Sequence, residues 1–269
     1  MQEQATPTPI PDSTPHVPMA TLSELAVTGP YKAFHLVADS RIAVVGESHY
    51  QAALRRAVDK NHSDGGLPVA ACLVREPENK YDRNAVRIDV QGETVGYIAR
   101  DEAPWMQKKL MWLERQGLRP VCQARVFGGG PGKPSYGIVL HASHALNGFS
   151  NEIPAGNPVM LDGSWMTTVT GEELHQEILE SYAQQDHDSM SYIFATLGLC
   201  EITNGKYKGQ QALEVRVNGQ RVGQLTYAMT QRYRPAVEAS LSAGHVVVVS
   251  AMLRREDKIE VYLLMPEHR

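Results

Sequence analysis

AVRIDVQGETVGYI (residues 85–98) and ALEVRVNGQRVGQL (residues 212–225) decide the fold. In both, apolar and polar residues alternate, a Gln-Gly or Asn-Gly pair interrupts the run, and alternation resumes. That pattern is a strand, a tight turn and a second strand, because side chains alternate faces along a strand and glycine accepts the positive φ of a two-residue turn. The correspondence continues without a gap over residues 85–117 and 212–244. It passes through DEAPWMQKKLMWLERQG and AMTQRYRPAVEASLSAG, each predicting a helix that ends on a glycine, and into VCQARVF and VVVVSAML. Upstream, GESHYQAALRRA from Gly46 resembles GEELHQEILESY from Gly171. The chain is read as a tandem duplication.

Each unit is expected to run strand, helix, strand, turn, hairpin, helix, and a last pair of strands. In the first unit that pair is VCQARVF and YGIVLHA, joined by GGGPGKPS as a flexible hairpin tip with one exposed lysine, Lys133. Strands joined by short turns run antiparallel, so the expected class is mainly β with inserted helices, an α+β arrangement of two small, partly open OB/SH3-like β-barrels in tandem. The expected divisions are a disordered Pro/Thr-rich tail at 1–20, a first domain at 41–145, a linker at 146–165 and a second domain at 166–269.

Charge separates the two units. Residues 41–145 carry 15 Lys and Arg against 11 Asp and Glu, a net +4, whereas residues 146–269 carry 10 against 15, a net −5. Affinity for a polyanion is therefore expected in the first unit. Three cysteines, Cys72, Cys122 and Cys200, lie in apolar runs without metal-ligand spacing, which points to buried thiols and a cytoplasmic setting. No apolar run reaches the ~18 residues needed to span a bilayer, so no membrane role is expected.

Motifs for catalysis are missing from the pattern. GGGPGK (128–133) has Phe127 where a phosphate loop needs its first glycine and Pro134 where it needs Ser or Thr. His141 and His144 have no third metal ligand nearby in sequence. The expectation is a non-enzymatic protein with no cofactor and no metal; an enzyme of unrecognised chemistry is the third-ranked alternative.

Val45-Gly46-Glu47, then LVREPENKYDRNAV (73–86), then GETVGYIAR (92–100) resemble the HIRAN domain family over about residues 41–143, with a degenerate repeat at about 166–266. The resemblance implies an OB-like barrel that binds single-stranded DNA and captures its 3′-hydroxyl end in a pocket, in DNA repair or processing. It implies a nucleic-acid site of His49, Tyr50, Tyr81, Asp82, Tyr97, Arg100 and Tyr136. Tyr81 and His49 would be the walls on which the terminal base stacks, Asp82 the acceptor for the 3′-hydroxyl, Tyr97 a polar ring beside the terminal phosphate, Arg100 a phosphate contact and Tyr136 an aromatic near the pocket. The residue types suit these tasks: a flat ring stacks on any base, a carboxylate accepts from a hydroxyl, and guanidinium grips phosphate oxygens. For Tyr97 and Tyr136 the alternative is an ordinary half-buried strand aromatic.

Asn84 and Pro77 are expected to set the turn that presents Tyr81 and Asp82, and Glu47 to cap the helix that starts near His49. Ser48 stands where one type of family member has arginine and His49 where it has tyrosine, implying one phosphate contact fewer and a smaller stacking wall. In the second unit Leu174 replaces His49, Gln224 replaces Tyr97 and Tyr227 replaces Arg100, while Lys208 or Gly209 replaces Asp82. Only Tyr207 keeps a ring. The competing functional reading is an adaptor whose acidic second unit recruits a protein partner such as a nuclease or helicase.

Overall fold

The computed structural model describes residues 27–58, 67–161, 163–183 and 190–267. The expected tail at 1–20 lies outside them. The chain divides into two compact units between Ile153 and Pro154.

The first unit contains β1 (Lys32–His35), β2 (Arg41–Val45), a 3-10 turn (Glu47–His49), α1 (Gln51–Ala57), β3 (Leu67–Arg75), β4 (Val86–Val90), β5 (Glu93–Ile98), α2 (Ala103–Arg115), β6 (Leu118–Gly130) and β7 (Lys133–His141). Six antiparallel strands pair in the circular order β6-β3-β4-β5-β2-β7, and the β6–β7 pairing closes the barrel; β1 adds in parallel to β6. Closure rests on the short β2, whose Arg41–Ala43 pair with β7 while Val44 and Val45 pair with β5. Ile42 and Val44 point inward and are buried, as are Leu73, Val86, Ile88, Val95, Val126, Ile138 and Leu140. α1 sends the fully buried Leu54 into the same core, and α2 sends Met106 and Leu110. Each such side chain contributes about 1.5–3 kcal/mol by leaving water.

The second unit repeats the order: β8 (Pro158–Met160), β9 (Trp165–Thr170), a 3-10 turn (Glu172–Leu174), α3 (Gln176–Glu180), β10 (Met190–Glu201), β11 (Gln211–Val217), β12 (Gln220–Leu225), α4 (Tyr227–Ser242), β13 (Val246–Arg255) and β14 (Ile259–Met265). Its barrel closes through β10–β13, with β8 added in parallel to β13. The likeness extends to irregularities. β4 is bulged between Ile88 and Asp89 and β11 between Val215 and Arg216, the aligned positions. Gln51 donates to the carbonyls of Glu47 and Tyr136 and accepts from Tyr136 N–H; Gln176 does the same with Glu172 and Ile259. The ion pair Arg87–Asp89 on β4 reappears on β11 with its charges exchanged, as Glu214 and Arg216.

Three expectations change. The barrels are closed rather than partly open. GGGPGKPS is a hairpin, as expected, but its strands run on through most of the segment, with Gly130 paired to Lys133. Three glycines belong there because the pair is bulged between Gly128 and Gly130 and the Tyr136 ring lies where a Gly129 Cβ would stand. Lys133 is exposed, its ammonium 4.3 Å from the Phe127 ring centroid. Residues 146–165, expected as a linker, are shared: Gly148 bridges to Leu36 in the first unit, whereas β8 and Trp165 belong to the second sheet.

Gly96 in β5 crosses β2 so closely that a Cβ there would meet the Val44 side chain and sit 2.8 Å from Val45 O; Gly223 crosses β9 in the same way. Gly96→Ala is expected to destabilise the first barrel by about 1–3 kcal/mol, the usual range for overpacking. Urea denaturation followed by circular dichroism checks this, and an unchanged midpoint would contradict the close-approach account.

Candidate nucleic-acid interface

The segment Glu76–Ala85 between β3 and β4 is a braced loop. Glu76 N–H donates to Ala85 O, and Ala85 N–H donates to Asp82 O. Inside it, Asn79 Oδ1 accepts from Tyr81 N–H at 2.9 Å and Asp82 N–H at 3.2 Å, while Asp82 Oδ1 accepts from Asn84 N–H at 2.8 Å. The turn is therefore set by the side chains of Asn79 and Asp82, which mimic backbone acceptors as short polar side chains do in turns. Asn84, expected to set it, supplies only backbone groups, its carbonyl accepting from Gln107 of α2.

This brace throws the Tyr81 ring outward, 89% exposed. Arg100, just after β5, donates from Nη2 to Tyr81 O at 2.9 Å and from Nε to Asp82 Oδ2 at 3.3 Å. Its guanidinium is nonetheless 79% exposed. The loop tip thus presents an unstacked ring, a carboxylate and a guanidinium side by side, with Lys80 and Arg83 exposed on either side of Tyr81 and Asp82.

Tyr97 follows Gly96 and pairs across to Val45, so the 3-10 turn that leaves β2 begins beside it. His49 is exposed at the end of that turn, and the Tyr50 ring lies 6.1 Å from that of Tyr97. Burial pushes the Tyr97 phenol well above its ordinary range, aided by its hydrogen bond with Tyr50 and by the nearby Glu76 carboxylate. It therefore remains a hydroxyl donor at neutral pH. Burial alone would raise the Glu76 carboxyl, but hydrogen bonds from Asn79, Arg87 and Tyr97 outweigh it and hold the group below its ordinary value. Asn79 ties Glu76 to the backbone of Tyr81 and Asp82, donating to the Glu76 carboxylate while accepting from both N–H groups.

Tyr136 joins by a different route. Its backbone is clasped by Gln51, while its ring lies against Gly129 and packs on the edge of the core. Glu47 does not cap α1: its carboxylate reaches across to accept from Ile138 N–H at 3.0 Å, pinning the 3-10 turn to β7. Gln51, Glu76 and Asn79 are the supporting residues that motif reasoning passed over. For Asn79 the signal was the Asn-Lys-Tyr-Asp spacing of a side-chain turn; for Gln51 it was its alignment with Gln176.

Residues 38–119 match the HIRAN domain. The match takes in every candidate residue except Tyr136, which lies on β7. HIRAN is a DNA-binding family whose domain is not itself catalytic. The second barrel is not matched by the HIRAN model. No curated protein and no solved structure matches the chain. Among the described residues no cluster of three or more His, Cys, Asp or Glu is arranged to hold a metal, and no helix is long and apolar enough to cross a membrane.

The second barrel rebuilds this corner with other chemistry. Tyr207, on the loop equivalent to Glu76–Ala85, stacks face to face on Tyr227, with ring centroids 4.2 Å apart and planes 9° apart. Tyr227 takes the place of Arg100, so the face that the HIRAN domain leaves open on Tyr81 is covered, and Tyr207 is only 36% exposed.

Because the Glu76 carboxyl is held low in the folded state, its contribution to stability is present above about pH 4.5, its ordinary value, and is lost as pH falls through the folded value. Glu76→Gln is expected to lower Tm at pH 7 and to have a shrinking effect as pH falls toward 3. An equal effect at both pH values, measured by thermal scans, would show that the charge of Glu76 does not matter.

Proposed function

We propose that the HIRAN domain binds single-stranded DNA by its 3′-hydroxyl end, with Tyr81, Asp82 and Arg100 as the contacts that recognise the terminal nucleotide. The observation that carries this reading is the exposed Tyr81 ring held beside the Asp82–Arg100 pair. A terminal nucleotide offers a base with one open face, a hydroxyl donor and a phosphate. Tyr81 supports the first by stacking, Asp82 the second by accepting, and Arg100 the third by donating from its exposed nitrogens. Each carboxylate oxygen has two acceptor positions, so the bonds Asp82 makes to Asn84 N–H and Arg100 leave room for another. His49 in the 3-10 turn and Tyr50 just after it would border the terminal nucleotide, with the Tyr97 ring beside the phosphate while its one hydroxyl proton is directed to Glu76. Such a protein serves DNA repair or processing by marking ends, without catalysis of its own.

A second reading is favoured by the second barrel. Leu174, in the position of His49, is 80% exposed, and the ring stack at Tyr207–Tyr227 replaces the charged pair with an apolar one. With its net charge of −5, this unit is suited to a protein partner rather than to DNA.

In the full chain, Tyr81→Ala is expected to weaken binding of a 5′-labelled single strand by about 1–3 kcal/mol, the scale of one base–aromatic stack, while Tyr207→Ala leaves it unchanged. Fluorescence anisotropy measures both. Equal losses, or a loss confined to Tyr207→Ala, would overturn the assignment of binding to the first unit.

A further inference from the structure

We propose that the exposed face of α2 is a second contact for single-stranded nucleic acid, a track on which the strand continues after leaving the loop at Tyr81. The proposal rests on the first unit being a single-strand binder, but not on its capture of an end.

α2 buries Ala103, Met106, Leu110 and Leu113 and leaves two tryptophans in water: Trp105 is 85% exposed and Trp112 is 50% exposed. Trp105, Lys108 and Trp112 are spaced three and four residues apart, so they lie along one side of the helix. Alternation of flat rings and cations is the arrangement that holds successive bases and phosphates of a single strand. Lys109 adds to it, its ammonium 4.8 Å from the Trp112 ring centroid and 5.7 Å from that of Phe34, which orients the ring while keeping a charge at its rim.

The charge balance favours a polyanion. Glu114, the sole acidic residue within α2, is turned to Arg75 at 2.8 Å and Arg119 at 3.3 Å. Among the described residues no carboxylate pairs with Lys108, Lys109 or Arg115, and Asp101, before the helix, is the acidic group exposed at its near end. The face is also continuous with the candidate site. Gln107, on a different side of α2, anchors the helix to the loop through Asn84 O and Arg75, and Arg100 lies two residues before Glu102, the N-cap, so the link between the site and this face is at the N-terminal end of the helix. Trp105 is the first exposed ring that the chain presents after Arg100.

The second barrel supplies an internal comparison. In α4 the aligned positions are Arg232 for Trp105, Pro235 for Lys108 and Ala239 for Trp112, all exposed. The same helix packs on the same barrel without the tryptophans, so packing does not explain them.

The test uses the full chain with 5′-labelled oligo-dT of about four and about twelve nucleotides, each ending in a 3′-hydroxyl or a 3′-phosphate. The longer strand is expected to quench tryptophan fluorescence whichever end it carries. Trp105→Ala/Trp112→Ala, which retains Trp165, abolishes that quenching. Trp112→Ala and Lys108→Ala each weaken binding of the longer strand, by about tenfold for the lost stack, and leave the shorter unchanged, whereas Trp112→Phe retains most of the affinity. If hydroxyl and phosphate ends bind alike while the variants still lose the length dependence, end capture fails and the track stands. If all variants keep the wild-type ratio of long to short affinity, the track is wrong and the face is open to a protein partner instead.

Discussion

The close crossing of β2 and β5 at Gly96 is the constraint on which the candidate site depends. Two backbones meet there with no space for a Cβ, and the short β2 can then pair with β5 at one end and β7 at the other. The crossing that lets the barrel close thus also fixes the Tyr97 side of the candidate site. Tyr97 emerges immediately after the crossing, and Gly46, at φ 78°, turns the chain into the segment that carries His49 and Tyr50. The second barrel preserves the crossing at Gly223 and the turn at Gly171, so the geometry outlasts the loss of the site chemistry.

On this scaffold, Asp82 has two tasks that depend on each other. One oxygen holds the turn through Asn84 N–H, and the other orients Arg100, whose guanidinium also grips Tyr81 O. The ion pair is mostly in water and contributes little to stability. Its value is positional, since it holds the Asp82 carboxylate and the Arg100 guanidinium side by side at the loop tip. Where Tyr227 replaces Arg100, no such pair forms, and the freed ring of the loop collapses onto its neighbour.

Much of this was legible in the sequence, for physical reasons that also mark where legibility ended. Period-two alternation and Gln-Gly and Asn-Gly turns revealed β4–β5 and β11–β12, and a ring beside an acid drew attention to Tyr81 and Asp82. β1 and β8 escaped because four and three residues are too few to show a period. The glycine run 128–130 read as part of a flexible hairpin tip because nothing local reveals that a Tyr136 ring will lie across it. Gln51 drew no attention, since its partner is 85 positions away. Trp105 and Trp112 passed as part of a helical pattern, and their exposure emerged only once α2 was seated.

The central claim is that Asp82 makes this domain a reader of 3′-hydroxyl ends. The most direct measurement is the affinity of wild-type and Asp82→Ala protein for matched strands ending in a 3′-hydroxyl or a 3′-phosphate. A carboxylate accepts from a hydroxyl and repels a phosphate that carries a charge of about −1.5 to −2. The account predicts that wild-type protein prefers the hydroxyl end and that Asp82→Ala removes this preference, lowering hydroxyl-end affinity by about 1.5–3 kcal/mol while leaving phosphate ends little changed or improved. An equal loss for both ends would contradict it, and would reduce Asp82 to the residue that holds the turn.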